Sequence, residues 1–164
     1  MPADPKVIDD LVARGIEFEE MACDPDLADT AQFCEAYGIP LERSANAILV
    51  ASRKPEGHNA VCLVLATTRL DVNGTVRKRL GVRKVSFAPA DLTKDLTRQE
   101  IGGVTVFGVP ETLPVWVDSR VLDHDWVIMG AGSRTAKIRL DPSVFAADDR
   151  FEVVDKLANP IEAG

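Results

Sequence analysis

The chain is poor in the residues from which most hydrolytic and metal sites are built. Only two histidines occur in 164 residues, His58 and His124. The three cysteines, Cys23, Cys34 and Cys62, are odd in number and lack CxxC spacing. That argues against a disulfide framework or a zinc knuckle, and no histidine stands beside a cysteine to activate it. Cys62 lies in an apolar run and reads as a small buried hydrophobe. Asp123-His124-Asp125 is a weak zinc set and reads as a surface turn, as does Asp148-Asp149. No metal and no cofactor is expected. There is no P-loop, no GxSxG and no dinucleotide fingerprint. Positive charge is also short: 19 Lys and Arg stand against 26 Asp and Glu, a net charge of −7, so the chain does not coat nucleic acid by bulk electrostatics. Aromatics are 5% of residues, and Trp116 and Trp126 sit in apolar strands where they read as core. No apolar run reaches about 18 residues, so no membrane span is expected. The first residues, Met1-Pro2-Ala3-Asp4-Pro5-Lys6, lack the features of a signal peptide. A reducing cytoplasm fits these absences.

What is present is an ordinary globular composition, 46% hydrophobic and 27% charged, long enough for one domain with a core. Helices are expected over 6–15, 31–37 (capped by Asp29 or Thr30 and ended by Gly38) and 75–80 (ended by Gly81). Further helical turns are expected after Pro89, around 97–99 and after Pro142. Strands are expected over 16–19, 47–51, 60–66, 82–87, 115–118, 126–129, 137–140 and 151–154. The second and third of these form a hairpin with a turn over 52–59, and the tail from 158 onward is expected to be loose. Short strands mixed with short helices in no βαβ order predict an α+β fold with a curved, mixed β-sheet.

The most informative stretch is Gly102-Gly103-Val104-Thr105-Val106-Phe107-Gly108, followed by Val115-Trp116-Val117-Asp118 and then Gly130-Ala131-Gly132-Ser133-Arg134. Two glycine turns flank an apolar strand. Such turns let a ligand approach the backbone and leave N–H groups to bind an anion or a carbonyl oxygen. Ordinary hairpin turns are the competing explanation.

These segments stand in order with Thr30 before a helix ending at Gly38, Asn46-Ala47-Ile48-Leu49-Val50, Arg69-Leu70-Asp71-Val72-Asn73 and Leu80-Gly81-Val82-Arg83-Lys84-Val85. Over about residues 23–154 the chain resembles the YbaK/EbsC family, the prolyl-tRNA-synthetase-associated editing domains. The resemblance implies a single α+β domain with a curved mixed sheet and no metal. It implies hydrolysis of the ester joining a wrong amino acid to the 3′ end of a tRNA, so the implied partner is the acceptor end of mischarged tRNA. Substrate would sit between a strand lysine and a glycine loop with a GxxxP pattern.

The sequence departs from that pattern twice. Asn46 stands at the lysine position and Val106 at the proline position. Asn46 hydrogen-bonds but carries no charge, and losing a charge-assisted contact is worth about 1.5–3 kcal/mol. Val106 keeps an N–H and should loosen the loop. On this resemblance Asn46, Gly102 and Gly103 take the catalytic positions. Thr30, Thr105, Val106, Gly108, Asp118, Gly130, Gly132, Ser133 and Arg134 surround the substrate. The N–H groups of Gly102, Gly103 and Gly108 are the expected oxyanion donors, with Gly130, Gly132 and Ser133 on the opposite wall. Asp118 either accepts from the substrate or ties a strand end to a turn. Arg134 and Lys137 are the preferred RNA contacts, ahead of Arg77, Lys78 and Arg79. A non-catalytic binder of an aminoacyl-tRNA end or nucleotide is the alternative.

Overall fold

The computed structural model describes residues 3–161; Met1, Pro2 and 162–164 lie outside the described residues. The elements run α1 (Pro5–Ala13), β1 (Glu19–Ala22), α2 (Thr30–Tyr37), β2 (Ala45–Lys54), β3 (Glu56–Leu65), β4 (Thr68–Leu70), α3 (Arg77–Leu80), β5 (Lys84–Phe87) and α4 (Ala90–Thr97). They continue with β6 (Val115–Asp118), β7 (Val127–Gly130), β8 (Ala136–Leu140), α5 (Val144–Ala147), β9 (Phe151–Val154) and β10 (Ala158–Pro160).

The alternation of strand β3 divides the interior. Successive side chains of a strand point to opposite faces. Val61, Leu63 and Leu65 enter the larger core with Phe107, Phe145 and Phe151. Ala60, Cys62 and Val64 enter a second core with Leu70, Trp116 and Leu157. Around β3 forms a five-stranded sheet in the order β5-β2-β3-β6-β9. Its β2–β3 and β2–β5 pairs are antiparallel, and its β3–β6 and β6–β9 pairs parallel. A second, antiparallel sheet runs β1-β8-β7. One parallel bridge, Ser44 to Ile128, links it to the start of β2. The α+β architecture with a curved, mixed sheet is therefore the one expected. Strands β7 and β8 of the second sheet are buried on both faces, with Ile138 and Leu140 in the larger core and Ile128 in a third apolar cluster of Cys23, Ala28, Phe33 and Cys34, while β1 stays largely exposed.

Helix ends follow the sequence signals. Asp4 accepts from Lys6 N–H at the start of α1, and Gly38 closes α2 with a φ of 70°, a left-handed cap that glycine adopts without strain. Other boundaries differ. The first strand lies at Glu19–Ala22, later than expected. The hairpin turns at Pro55, with paired strands running to Lys54 and from Glu56. Ladder bonds are made by backbone, so the strands outlast their apolar pattern. Arg98 ends α4 in the left-handed region, φ 59°, where a separate helical turn was expected. The segment 104–107 is an irregular loop between the helix α4 and the strand β6 that flank it. Within the tail, Ala158–Pro160 pairs with β4 instead of lying loose, and the loose end expected over 162–164 lies outside the described residues.

The resemblance segment around Asp71 has a structural use. Its carboxylate accepts from Gly74 N–H at 3.2 Å, Thr75 N–H at 3.0 Å and Thr75 Oγ1 at 3.1 Å. These bonds, led by the Thr75 amide, hold its pKa below the ordinary carboxylate value. Because the folded pKa is depressed, this stabilisation is present above the usual carboxylate range and is lost as pH falls through the folded value. Asp71→Ala is expected to cost about 1–2 kcal/mol in urea unfolding at neutral pH, as a lost cap does, and progressively less in acid.

Candidate functional site

A cavity of about 540 Å³ opens where β5 stops covering β2. β5 pairs with Val50–Lys54 only. Leu49 O is taken by Ala88 N–H at 2.9 Å. Backbone groups on one strand edge alternate by residue, so the next edge-facing N–H and C=O are those of Ala47, and they face the cavity that Ala47 lines. Thr30, at the start of α2, closes one side. Its hydroxyl donates to Asn46 Oδ1 at 2.7 Å. Asn46 lines the cavity, and with Oδ1 accepting its amide keeps two N–H donors for a further partner. Exposed Phe87 and Ile101, 55% and 43% accessible, form an apolar lip.

The far wall is made by the two glycine turns packed backbone on backbone. Gly132 N–H donates to Gly103 O at 2.7 Å, and Glu100 N–H donates to Gly132 O at 3.1 Å. A Cβ on Gly103 would lie 2.2 Å from Ser133 O, and one on Gly130 would lie 2.4 Å from Val104 O. Side chains at either position would drive the turns apart. The two turns thus form one wall, where opposite walls were expected.

This packing sorts the expected site residues. Thr30, Asn46, Gly102, Gly130 and Arg134 line the cavity together. Gly103 lies behind them, with its N–H donated to Glu100 O at 2.9 Å. Gly108 packs on α1 and donates its N–H to Asp10 Oδ2 at 2.9 Å. Of the three expected N–H donors, only that of Gly102 has no partner among the described residues. Gly132 and Ser133 face a separate, larger cavity bounded by the start of α1 and the end of α4, away from Asn46. Thr105 and Val106 are buried, and Val106 belongs to the larger core. The loop carrying them is clamped rather than loosened. Buried Gln99 accepts from Thr105 N–H at 2.9 Å and donates to Phe107 O at 2.7 Å.

Asp118 lies outside the cavity altogether. It follows Trp116 in the strand alternation and points to the second core. Its carboxylate is fully buried, and neither oxygen has a hydrogen bond of good geometry. Burial raises its pKa; the nearby N–H groups of Ala158 and Leu157 oppose that only in part. Of its two sequence readings, the structural one fits this position.

Lys137, read from sequence as an RNA contact, points inward. Its side chain is 7% accessible and lines the cavity. Nζ donates to Ala28 O at 3.0 Å and sits 5.4 Å from the Phe33 ring centroid. Burial lowers its pKa; Cys23, Cys34 and Asp29 pull the other way and Arg134 adds to the lowering. The Arg134 guanidinium is committed to Ile101 O at 3.1 Å and Pro25 O at 2.6 Å. Arg79 stacks on Trp116 and pairs with Glu152. Among the described residues no group of His, Cys, Asp or Glu is placed to hold a metal. The three thiols are buried, and burial pushes that of Cys62 up to about 12, which opposes thiolate chemistry. No helix among the described residues is long and apolar enough to cross a membrane.

Phe87, Gln99 and the inward Lys137 escape a sequence reading. For Lys137 the alternation Lys137-Ile138-Arg139-Leu140 predicts a solvent face that Ala28 and the α2 residue Phe33 in fact cover. A lysine buried without a carboxylate destabilises the charged folded state. Its folded pKa is depressed, so the unfolded chain binds the extra proton, and the penalty shrinks as pH rises from the folded value toward the ordinary lysine value. Lys137→Met is expected to stabilise the fold by about 1 kcal/mol at pH 7. Thermal melts should show this gain fading as the pH approaches that of ordinary lysine titration.

Comparison with known proteins bears on the same region. The model of the aminoacyl-tRNA editing domain matches residues 24–146. An uncharacterized protein of Bacillus subtilis (strain 168), YwhH, is 29% identical over 115 residues, 70% of this chain and 71% of that one. The solved structure of a hypothetical protein, APE2540, superposes with a TM-score of 0.82 at 21% identity, covering 92% of this chain and 97% of the other. That of a candidate trans-editing enzyme for prolyl tRNA synthetase gives 0.78 at 20% identity, covering 96% and 99%. At such identities the two structures speak for the fold alone. The family match, spanning well over half of the chain and both sides of the cavity, carries the assignment: this chain belongs to the aminoacyl-tRNA editing domain family.

Proposed function

We propose that the protein is a free-standing editing hydrolase that deacylates mischarged aminoacyl-tRNA in the cytoplasm. The observation that supports this most directly is the oriented Asn46 amide. It faces the same cavity as the Ala47 backbone edge and the Gly102 turn. Such preset donors stabilise charge developing on an ester carbonyl oxygen. Among the described residues, no His, Asp or Glu other than Asp29 lines the cavity. A water held by backbone groups and assisted by the vicinal ribose hydroxyl of the substrate suits a site of this kind. That water adds to the carbonyl carbon and the ester C–O bond breaks. The ribose oxygen takes the proton, releasing amino acid and tRNA. A substrate lacking the vicinal hydroxyl should then be cleaved far more slowly.

The neutral Asn46 favours a second reading, a binder of the aminoacyl end without turnover. Release of amino acid from Cys-, Ala- and Ser-charged tRNA(Pro) separates the two, with Asn46→Lys alongside wild type. Turnover by the wild type above a buffer blank is expected. Turnover by Asn46→Lys alone would place the loss of chemistry at residue 46. Silence from both, with retained binding, would favour the binder.

The exposed Phe87 lip offers a surface on which a terminal base stacks, worth about 1–3 kcal/mol per base. Phe87→Ala is accordingly expected to raise KM about tenfold, the lower part of that range, with kcat nearly unchanged in steady-state deacylation.

A further inference from the structure

Of the two cations that line the cavity among the described residues, Lys137 is the more deeply buried. It sits on β8 opposite Gly130 and Met21. Its ammonium has three donors, and the structure uses one, on Ala28 O at 3.0 Å. Among the described residues no carboxylate lies within ion-pair distance of it. At 7% accessibility it cannot reach the phosphates of an RNA docked outside. Arg134, the other cation of the cavity, is held at the rim by two backbone carbonyls, Ile101 O and Pro25 O, and is the more accessible of the two. A buried ammonium facing a cavity is compensated by whatever negative oxygen enters it. The Asn46 amide opens on the same cavity from β2.

We propose that Lys137 contacts the substrate, its ammonium and the Asn46 amide together holding the carbonyl oxygen of the aminoacyl ester as that oxygen becomes negative. This rests on the deacylase reading above. Lys137 stays protonated throughout. It neither takes the proton of the attacking water nor gives one to the departing ribose oxygen; it carries only the charge that the carbonyl gains when water adds and loses when the C–O bond breaks. The positive charge missing at residue 46 is thereby supplied from a different strand.

Two measurements test this. The first is deacylation by wild type, Lys137→Met and Lys137→Arg. The second is a titration of wild type, ¹³C-labelled at lysine, with the alanyl and seryl amides of 3′-amino-3′-deoxyadenosine, which cannot be hydrolysed as esters. Lys137→Met should lower kcat about 100-fold, the usual loss for one oxyanion donor. KM should change less than about 3-fold, Lys137→Arg should recover part of the rate, and the Lys137 Cε resonance should move on adding the amides. Wild-type turnover with Lys137→Met within 3-fold of it would overturn the proposal and leave the deacylase reading standing. Should the wild type not turn over, that reading fails, and the titration decides. A Lys137 resonance that moves keeps the contact, and one that stays still removes it. The titration uses the wild-type protein, so it is decisive even if a variant does not fold.

Discussion

The hydrogen bond from Gly132 N–H to Gly103 O, at 2.7 Å, is the contact on which the rest of the site depends. It joins two turns nearly thirty residues apart in sequence, and it forms because neither backbone carries a side chain between them. Gly103 and Gly130 each meet a carbonyl oxygen at a distance no Cβ tolerates. Once the turns are joined, Gly102 and Val104 are set against the open edge of β2, and Arg134 bridges Ile101 and Pro25 across the rim. Gln99 then fixes the next loop from behind. The glycines serve packing first, and most of their N–H groups are consumed by it.

Burial and charge conflict at two positions, with different meanings. Asp118 is sealed in the second core against the β9–β10 connection, outside the cavity. Lys137 is buried too, yet its head group borders a space large enough for a substrate. The difference between a buried charge that only costs stability and one that can act lies in whether something can enter to meet it.

Much of the fold was legible. Glycine caps at Gly38 and Gly81, the β2–β3 hairpin and the strands at 115–118, 137–140 and 151–154 all follow from local patterns that the structure keeps. Five site residues, from Thr30 to Arg134, do converge on one cavity. What escaped depends on distant partners. The inward turn of Lys137 is set by Ala28 and Phe33 covering a face that its own strand marks as polar. Asp118 turns away by simple strand parity, which only a known neighbour can anchor to one side or the other. The burial of Thr105 and Val106 is decided by a clamp from Gln99, whose polar side chain carries no signal of its own.

The cavity floor has a consequence for how such a site can change over time. Part of it is the bare edge of β2, main-chain atoms that every residue supplies alike. Substitutions along 45–49 exchange the side groups around that edge while the peptide donors and acceptors remain. A sequence can therefore drift through different side chains at Asn46 and its neighbours, and recruit a charge from the neighbouring sheet, without first dismantling the framework that receives the ligand.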